Sequence, residues 1–294
     1  PLDLAAAGSA STAGGLVIEQ ATLSGEKISG KAAGTLNPNG ASDFSADLTS
    51  NGPSLPLKVG SPQSPVDLEL QSVSVKAAGQ GTAPRLDISA TLPSATANHV
   101  KLGGLALALL SDGFDLKTRT GPISGTVTAD KIDLDNPTVA PLVAGKVTAK
   151  VAGNLSADAL TISSGSATTG AVDGAFNGRM SFADGSVDFT AKADVLSAAL
   201  PAAVRGVLAE RTQLSAATQR DAKGNVSLGP VKIASGAFTA NGQASIADNK
   251  LSADVKGGLA DMSLLSKDAK GAITFALQAQ GAPTAPDLSL TVSS

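Results

Sequence analysis

Ile273-Thr274-Phe275-Ala276-Leu277-Gln278-Ala279 decides the fold: Ile273, Phe275, Leu277 and Ala279 occupy one parity, with Thr274, Ala276 and Gln278 between them. Successive side chains on a strand point to opposite faces, so this period of two predicts a sheet with one oily face and one wet face. The same pattern recurs outward along the chain. Phe176, Gly178, Met180 and Phe182 alternate with Asn177, Arg179 and Ser181, and Phe238, Ala240, Gly242, Ala244 and Ile246 share a parity of their own. Turn chemistry separates such runs. Asn39-Gly40, Asp184-Gly185, Asp248-Asn249 and Lys223-Gly224-Asn225 tolerate positive φ and suit tight antiparallel connections.

Read this way, strands are expected at 16–23, 28–36, 43–49, 65–77, 85–92, 99–109, 114–119, 123–134, 146–152, 159–163, 168–182, 186–194, 213–219, 224–233, 237–247, 250–256, 271–280 and 287–293. Three segments break the alternation. Leu196, Leu200, Val204, Val207 and Leu208 recur at helical spacing over 196–211, although Pro201 and Gly206 weaken a helix there. Asn136-Pro137 through Gly145 reads as a capped short helix, and Asp261 to Ser266 as another. From Gly145, and again from Gly271, follow a strand, a glycine, a turn and a second strand. Gly81-Thr82-Ala83-Pro84 followed by Arg85–Ile88 repeats the second half of that phrase. The expected organisation is a β-repeat unit over 1–135 and a second over 136–294, the latter with a helical insert at 196–211. The chain also reads as a piece of a longer protein.

The 294 residues are 42% apolar but only 16% charged, against roughly 25% charged in an average globular protein. Net charge is −3, and Trp, Tyr and Cys are absent. Nucleic-acid binding needs a basic face and stacking aromatics, so that partner class is excluded. Without Cys there is no disulfide scaffold, thiolate zinc site or Cys nucleophile. No apolar run approaches the ~20 residues of a membrane-spanning helix.

Catalytic chemistry is equally sparse. His99 is the one histidine, and it reads as a packing or surface residue with no partner for a zinc site or triad. Ser24-Gly25-Glu26-Lys27 matches the Ser-x-x-Lys of penicillin-recognising enzymes but falls at a strand end. Asp130, Asp133 and Asp135 form the densest acidic group without the spacing of a calcium loop. No Gly-x-Ser-x-Gly elbow and no phosphate loop occur. The expectation is a protein that is not an enzyme and carries no cofactor and no metal.

Several segments carry a resemblance: Leu196 to Arg211; Ser227 to Gly236 leading into Phe238–Ile246; Met262-Ser263-Leu264-Leu265 with Gly271 and the Gly281 to Leu288 close; Phe114 to Gly121; and Asn136-Pro137 through Gly145. Together they resemble the TamB family of translocation and assembly module subunits, within the AsmA-like bridge-type lipid-transfer group. The resemblance implies a periplasmic segment of a protein anchored in the inner membrane. It implies an elongated, folded-over antiparallel sheet (a β-taco) with an apolar groove. It also implies phospholipid transport between inner and outer membrane and support of outer-membrane protein assembly, with a TamA-like outer-membrane barrel as partner through regions outside this chain. A secreted β-rich adhesin or autotransporter passenger stalk is the alternative.

Alternation alone supplies the candidate groove residues: Val147, Ala149 and Val151; Phe176, Met180 and Phe182; Val187 and Phe189; Phe238 and Ile246; Ile273, Phe275 and Leu277. The ligand expected there is the acyl chain of a phospholipid. The lipid species, the direction of transport and the full length of the protein are not legible.

Overall fold

The computed structural model describes residues 2–10, 15–37, 39–61, 64–97 and 100–294. It is all-β: 21 strands among the described residues build an open antiparallel sheet that does not close into a barrel. The chain divides into two compact units, one ending at Ala157 and the other running Asp158–Ser294.

In the first unit the strands are β1 (Leu2–Ala10), β2 (Leu16–Gly25), β3 (Ile28–Leu36), β4 (Ala41–Ser50), β5 (Leu55–Ser61) and β6 (Ser64–Leu70). They continue with β7 (Ser72–Gln80), β8 (Arg85–Ala97), β9 (Val100–Asp112), β10 (Gly121–Ala129), β11 (Lys131–Leu134) and β12 (Val147–Leu155). Neighbours run β1-β2-β3-β4-β7-β8-β9-β10-β12. The β5–β6 hairpin joins the far half of β8, and β11 joins the far half of β9. The boundary expected at 135/136 falls inside this unit, because β12 pairs with β10 from Gly121↔Leu155 to Ala129↔Val147.

The second unit is a simple meander of nine consecutive strands: β13 (Ala159–Thr168), β14 (Val172–Ser181), β15 (Val187–Leu196), β16 (Arg211–Arg220), β17 (Val226–Ser235), β18 (Phe238–Ala247), β19 (Lys250–Leu259), β20 (Ile273–Ala282) and β21 (Ala285–Ser293). Each pairs with the next. The turn chemistry works as expected. Asp248 and Asn249 both take positive φ (50° and 58°) between the paired residues Ala247 and Lys250, which matches the hairpin twist.

Three local readings are corrected. Residues 114–119 are a loop, not a strand, because the Asp115 carboxylate accepts from the Lys117 and Thr118 N–H groups and competes with the ladder for them. The segment 65–77 runs along β8 in one register, from Val66↔Ala97 through Ser72↔Thr91 to Ala77↔Leu86, with the Gln71 N–H donated to the Thr91 carbonyl; on its other side β6 pairs with β5 and β7 with β4. The segment 168–182 begins as a turn, in which the Thr169 hydroxyl accepts from the Ala171 and Val172 N–H groups. The expected helix over 196–211 shrinks to a 3₁₀ turn at Ser197–Ala199 and four helical residues, Ala202–Arg205, bounded by Pro201 and Gly206. The other two short helices are 3₁₀ turns at Ala140–Val143 and Met262–Leu264, the latter capped by Asp261 accepting from Ser263 N–H. His99 lies outside the described residues.

Little of this chain is a core. Fully buried apolar residues are mostly alanines, among them Ala77, Ala95, Ala129, Ala159, Ala240 and Ala279. Within the second unit, by itself, most residues of the apolar parity are half-buried rather than buried, so little beyond the 197–210 segment lies over that side of the sheet.

Candidate functional site

Residues paired directly across an antiparallel ladder share a face, so the registers decide which side each candidate occupies. In the second unit Phe176↔Ala191, Gly178↔Phe189 and Met180↔Val187 join β14 to β15. Ala193↔Leu214 and Val195↔Thr212 continue into β16, and Leu214↔Ile233 and Thr218↔Leu228 into β17. Val226↔Ile246 and Ile233↔Ala240 reach β18, and Phe238↔Leu259 and Gly242↔Val255 reach β19. Leu259↔Ile273, Gly257↔Phe275 and Val255↔Leu277 bring in β20, and Leu277↔Leu290 and Phe275↔Val292 bring in β21. The ladders thus place Phe176, Met180, Val187, Phe189, Phe238, Ile246, Ile273, Phe275 and Leu277 on one apolar face. Bulges in β13, β16 and β17 shift the register without breaking this side-to-side sorting.

The first unit repeats the arrangement by itself. Ala129↔Val147, Val127↔Ala149 and Gly125↔Val151 set the three β12 candidates beside β10, and Val127↔Leu107 and Ile88↔Leu109 carry the face on to β8. Val75↔Ile88, Ala46↔Val75, Ala32↔Ala46, Ala21↔Ala32 and Ala6↔Ala21 extend it to β1. A shallow recess of about 380 Å³ opens there, lined by Leu4, Ala21, Leu23, Gly30, Ala32, Ala46, Leu48, Val73 and Val75.

Phe182 lies just past the laddered strand. β14 ends at Ser181, and Phe182 opens the following turn with its N–H donated to the Asp158 carbonyl at 2.7 Å. Its side chain is 49% exposed and lies off the strand whose parity it shares in sequence. Conversely, sequence parity alone did not select Leu228, Val231, Ile233, Leu251, Val255, Leu288 and Leu290. Their alternation was visible, but which strand each pairs with was not.

Glycine and phenylalanine shape the surface. A Cβ on Gly165 would run into the Phe176 ring, one on Gly178 into Phe189, and one on Gly257 into Phe275. Each is a directly paired cross-strand neighbour, so the rings lie flat over the glycines and shield the backbone. Phe275 leans across Gly257 far enough to stack on Phe238, two strands away, with ring centroids 6.4 Å apart and planes 17° apart. The face is therefore low-walled and smooth, and most of its side chains are half-buried.

One end of the face is closed. Val195, Thr212 and Ser235, each 2% exposed, lie under the 197–210 segment. The Thr212 hydroxyl donates to Ser235 Oγ at 2.8 Å and lies 2.9 Å from Ser197 Oγ, while the Ala209 N–H donates to Ser235 Oγ at 2.9 Å. This chain of hydroxyls satisfies itself at the apolar margin. Toward the opposite strand ends the face is open: Val226, Leu228 and Ile246 are 40–43% exposed.

Charge sits on the other side. Lys192, Lys232, Asn241, Asp254 and Lys256 occupy the opposite parity of their strands. Lys31–Asp47, Arg211–Asp173 and Lys256–Asp254 are exposed ion pairs at 3.3–3.7 Å. A recess of about 580 Å³ in the second unit is on this side. Its lining sets Lys192 and Lys232 against Asp173 and Asp194 around Ala175, Ala193 and Ala234, so its charged side chains balance. Among the described residues no group of three or more His, Cys, Asp or Glu is placed to hold a metal ion, and Asp133 of the acidic group instead pairs with Lys131 at 2.9 Å. Among the described residues no helix is long and apolar enough to cross a membrane.

Comparison with known proteins finds no matching family model, no matching curated protein and no matching solved structure. The reading of this site therefore rests on its own geometry.

The turns that set the registers depend on carboxylates. The Ser186 N–H, and then the Ser181 and Ser186 hydroxyls, hold Asp184 down to about 2. Asp115 is lowered by the Thr118 and Lys117 N–H groups, Asp221 first by the Asn225 amide, and Asp261 first by the Ser263 hydroxyl. A carboxyl lowered in the folded state stabilises above its unfolded value, and that contribution disappears as pH falls through the folded one. Melting temperature is therefore expected to drop between about pH 4 and pH 2. Asp184→Asn keeps the acceptor but not the titration, so thermal melts of that variant should drop less over the same interval.

Proposed function

We propose that this chain is a lipid-handling segment whose open apolar face carries phospholipid acyl chains, the head groups remaining in water at its rim. The observation that supports this most is the one-sided face: the nine laddered strands of the second unit present apolar side chains on one side and, apart from Arg220 at an exposed strand end between Val187 and Val226, charged ones on the other, with only the 197–210 segment over one end of the apolar side. Such a surface needs no catalytic residue. Each buried methylene contributes about 0.8 kcal/mol, so half an acyl chain outweighs a single hydrogen bond of about 1 kcal/mol. Binding then depends on tail length and tolerates the head group.

In this reading the chain is a periplasmic piece of a TamB-like, AsmA-like protein. It serves phospholipid passage between inner and outer membrane and, with a TamA-like barrel engaged through regions outside it, outer-membrane protein assembly. The family assignment comes from the sequence resemblance, and the acyl-chain ligand from the face.

The test is photocrosslinking in cells. A crosslinker at Phe238 or Phe275 is expected to label phospholipid, and one at the opposite-parity neighbours Thr239 or Thr274 far less. Equal labelling on both faces, or none on either, would remove the lipid reading.

A further inference from the structure

We infer that the apolar face of the second unit is also a self-docking surface, covered by the same face of a second copy of this chain. The inference goes beyond the lipid reading and does not depend on it.

Area supports it first. Nine strands about 4.8 Å apart, with about eight residues each left uncovered by the 197–210 segment at about 3.3 Å per residue, present a face of roughly 1,000 Å². A stable complex needs roughly 800 Å² per partner, and monomers rarely leave an apolar patch above a few hundred Å² uncovered. Shape supports it next. The registers set Leu228, Ala244, Ala253, Ala279 and Leu288 in one row across β17 to β21. That row reads large, small, small, small, large. The large residues at its two ends, Leu228 and Leu288, are 43% and 69% exposed, and the three alanines form the valley between them. A twofold-related copy can lay its own ridge into this valley, an isologous contact in which the same patch serves both partners. Electrostatics agree across β17 to β21, where Lys232, Asp254, Lys256 and Asp287 all occupy the opposite parity, so stacking two such faces about 10 Å apart buries no charge there. Arg220 of β16, which shares the apolar face, is exposed at its strand end.

The test is sedimentation velocity on the whole chain at micromolar concentration, after detergent delipidation and detergent removal. The parent is expected to sediment at twice its 28.7 kDa mass. Leu290→Asp, on the 64%-exposed edge of the face, is expected to give monomer with an unchanged far-ultraviolet dichroism spectrum. Lys232→Glu, on the charged face, is expected to leave the dimer intact. A monomeric parent, an association that Leu290→Asp does not dissolve, or a dimer lost on Lys232→Glu would overturn the inference. Phospholipid in the same preparation before delipidation, read by mass spectrometry, tests the lipid proposal separately. A chain that dimerises yet carries no lipid upholds this inference while ending that one.

Discussion

Val195→Asp is expected to unfold the second unit. Val195 is 2% exposed, pairs with Val172 and Thr212, and sits beneath the 197–210 segment. The hydroxyl paired directly across from it, that of Thr212, is already engaged with Ser197 and Ser235. An added carboxylate finds no cation there, and a buried unpaired charge costs several kcal/mol. Domains have only about 5–15 kcal/mol to lose, so loss of more than about 4 kcal/mol shows as a collapse of the thermal transition. Val195→Thr, similar in shape and able to join the hydroxyl chain, is expected to cost far less. Dichroism melts of the two variants separate charge burial from a simple intolerance of the site.

The contrast between Val195 and its neighbours marks what the sequence could and could not reveal. Period-two alternation made the strands and the apolar parity legible, because the strand period is a local property of the chain. It made nine of the ten second-unit candidates legible as one face. The tenth, Phe182, lies one residue past Ser181, the last laddered residue of β14, because parity says nothing about where a strand stops. The four-residue remnant of the expected helix has a similar origin. Leu196, Leu200, Val204, Val207 and Leu208 have helical spacing, but Pro201 and Gly206 limit what that spacing can build. Two features depend on partners far away in the chain and were invisible to a linear reading. One is the set of flat Phe rings, whose glycines sit on neighbouring strands: Phe275 covers Gly257 and Phe176 covers Gly165. The other is the hydroxyl chain, which joins Ser197, Thr212 and Ser235 from three separate segments. Both need registers, and bulges such as those at Ser215/Thr218 and Leu228/Val231 shift registers in ways that alternation alone does not announce.

The double variant Ile246→Asp, Leu277→Asp is expected to stay folded and lose its lipid. Ile246 is 42% exposed and Leu277 36%, so carboxylates there keep contact with water, and the folding cost stays near the 1 kcal/mol typical of a point substitution. An acyl chain lying on the face meets a different situation. Either the carboxylates give up water or the chain lifts away from them. Losing contact over about four methylenes removes about 3 kcal/mol, more than a hundredfold in affinity. Ser252→Asp adds a carboxylate on the opposite face, beside Leu251 in sequence, and should leave lipid content unchanged. Lipid bound per chain, measured by mass spectrometry on protein purified from cells, and the dichroism spectrum together decide the matter. Loss of both fold and lipid would mean that this face is a packed interior. Lipid retained by the double variant would mean that the acyl chains lie elsewhere. Only a folded, lipid-free protein matches a face that is open by design and whose position in the sheet, rather than any reactive side chain, does the work.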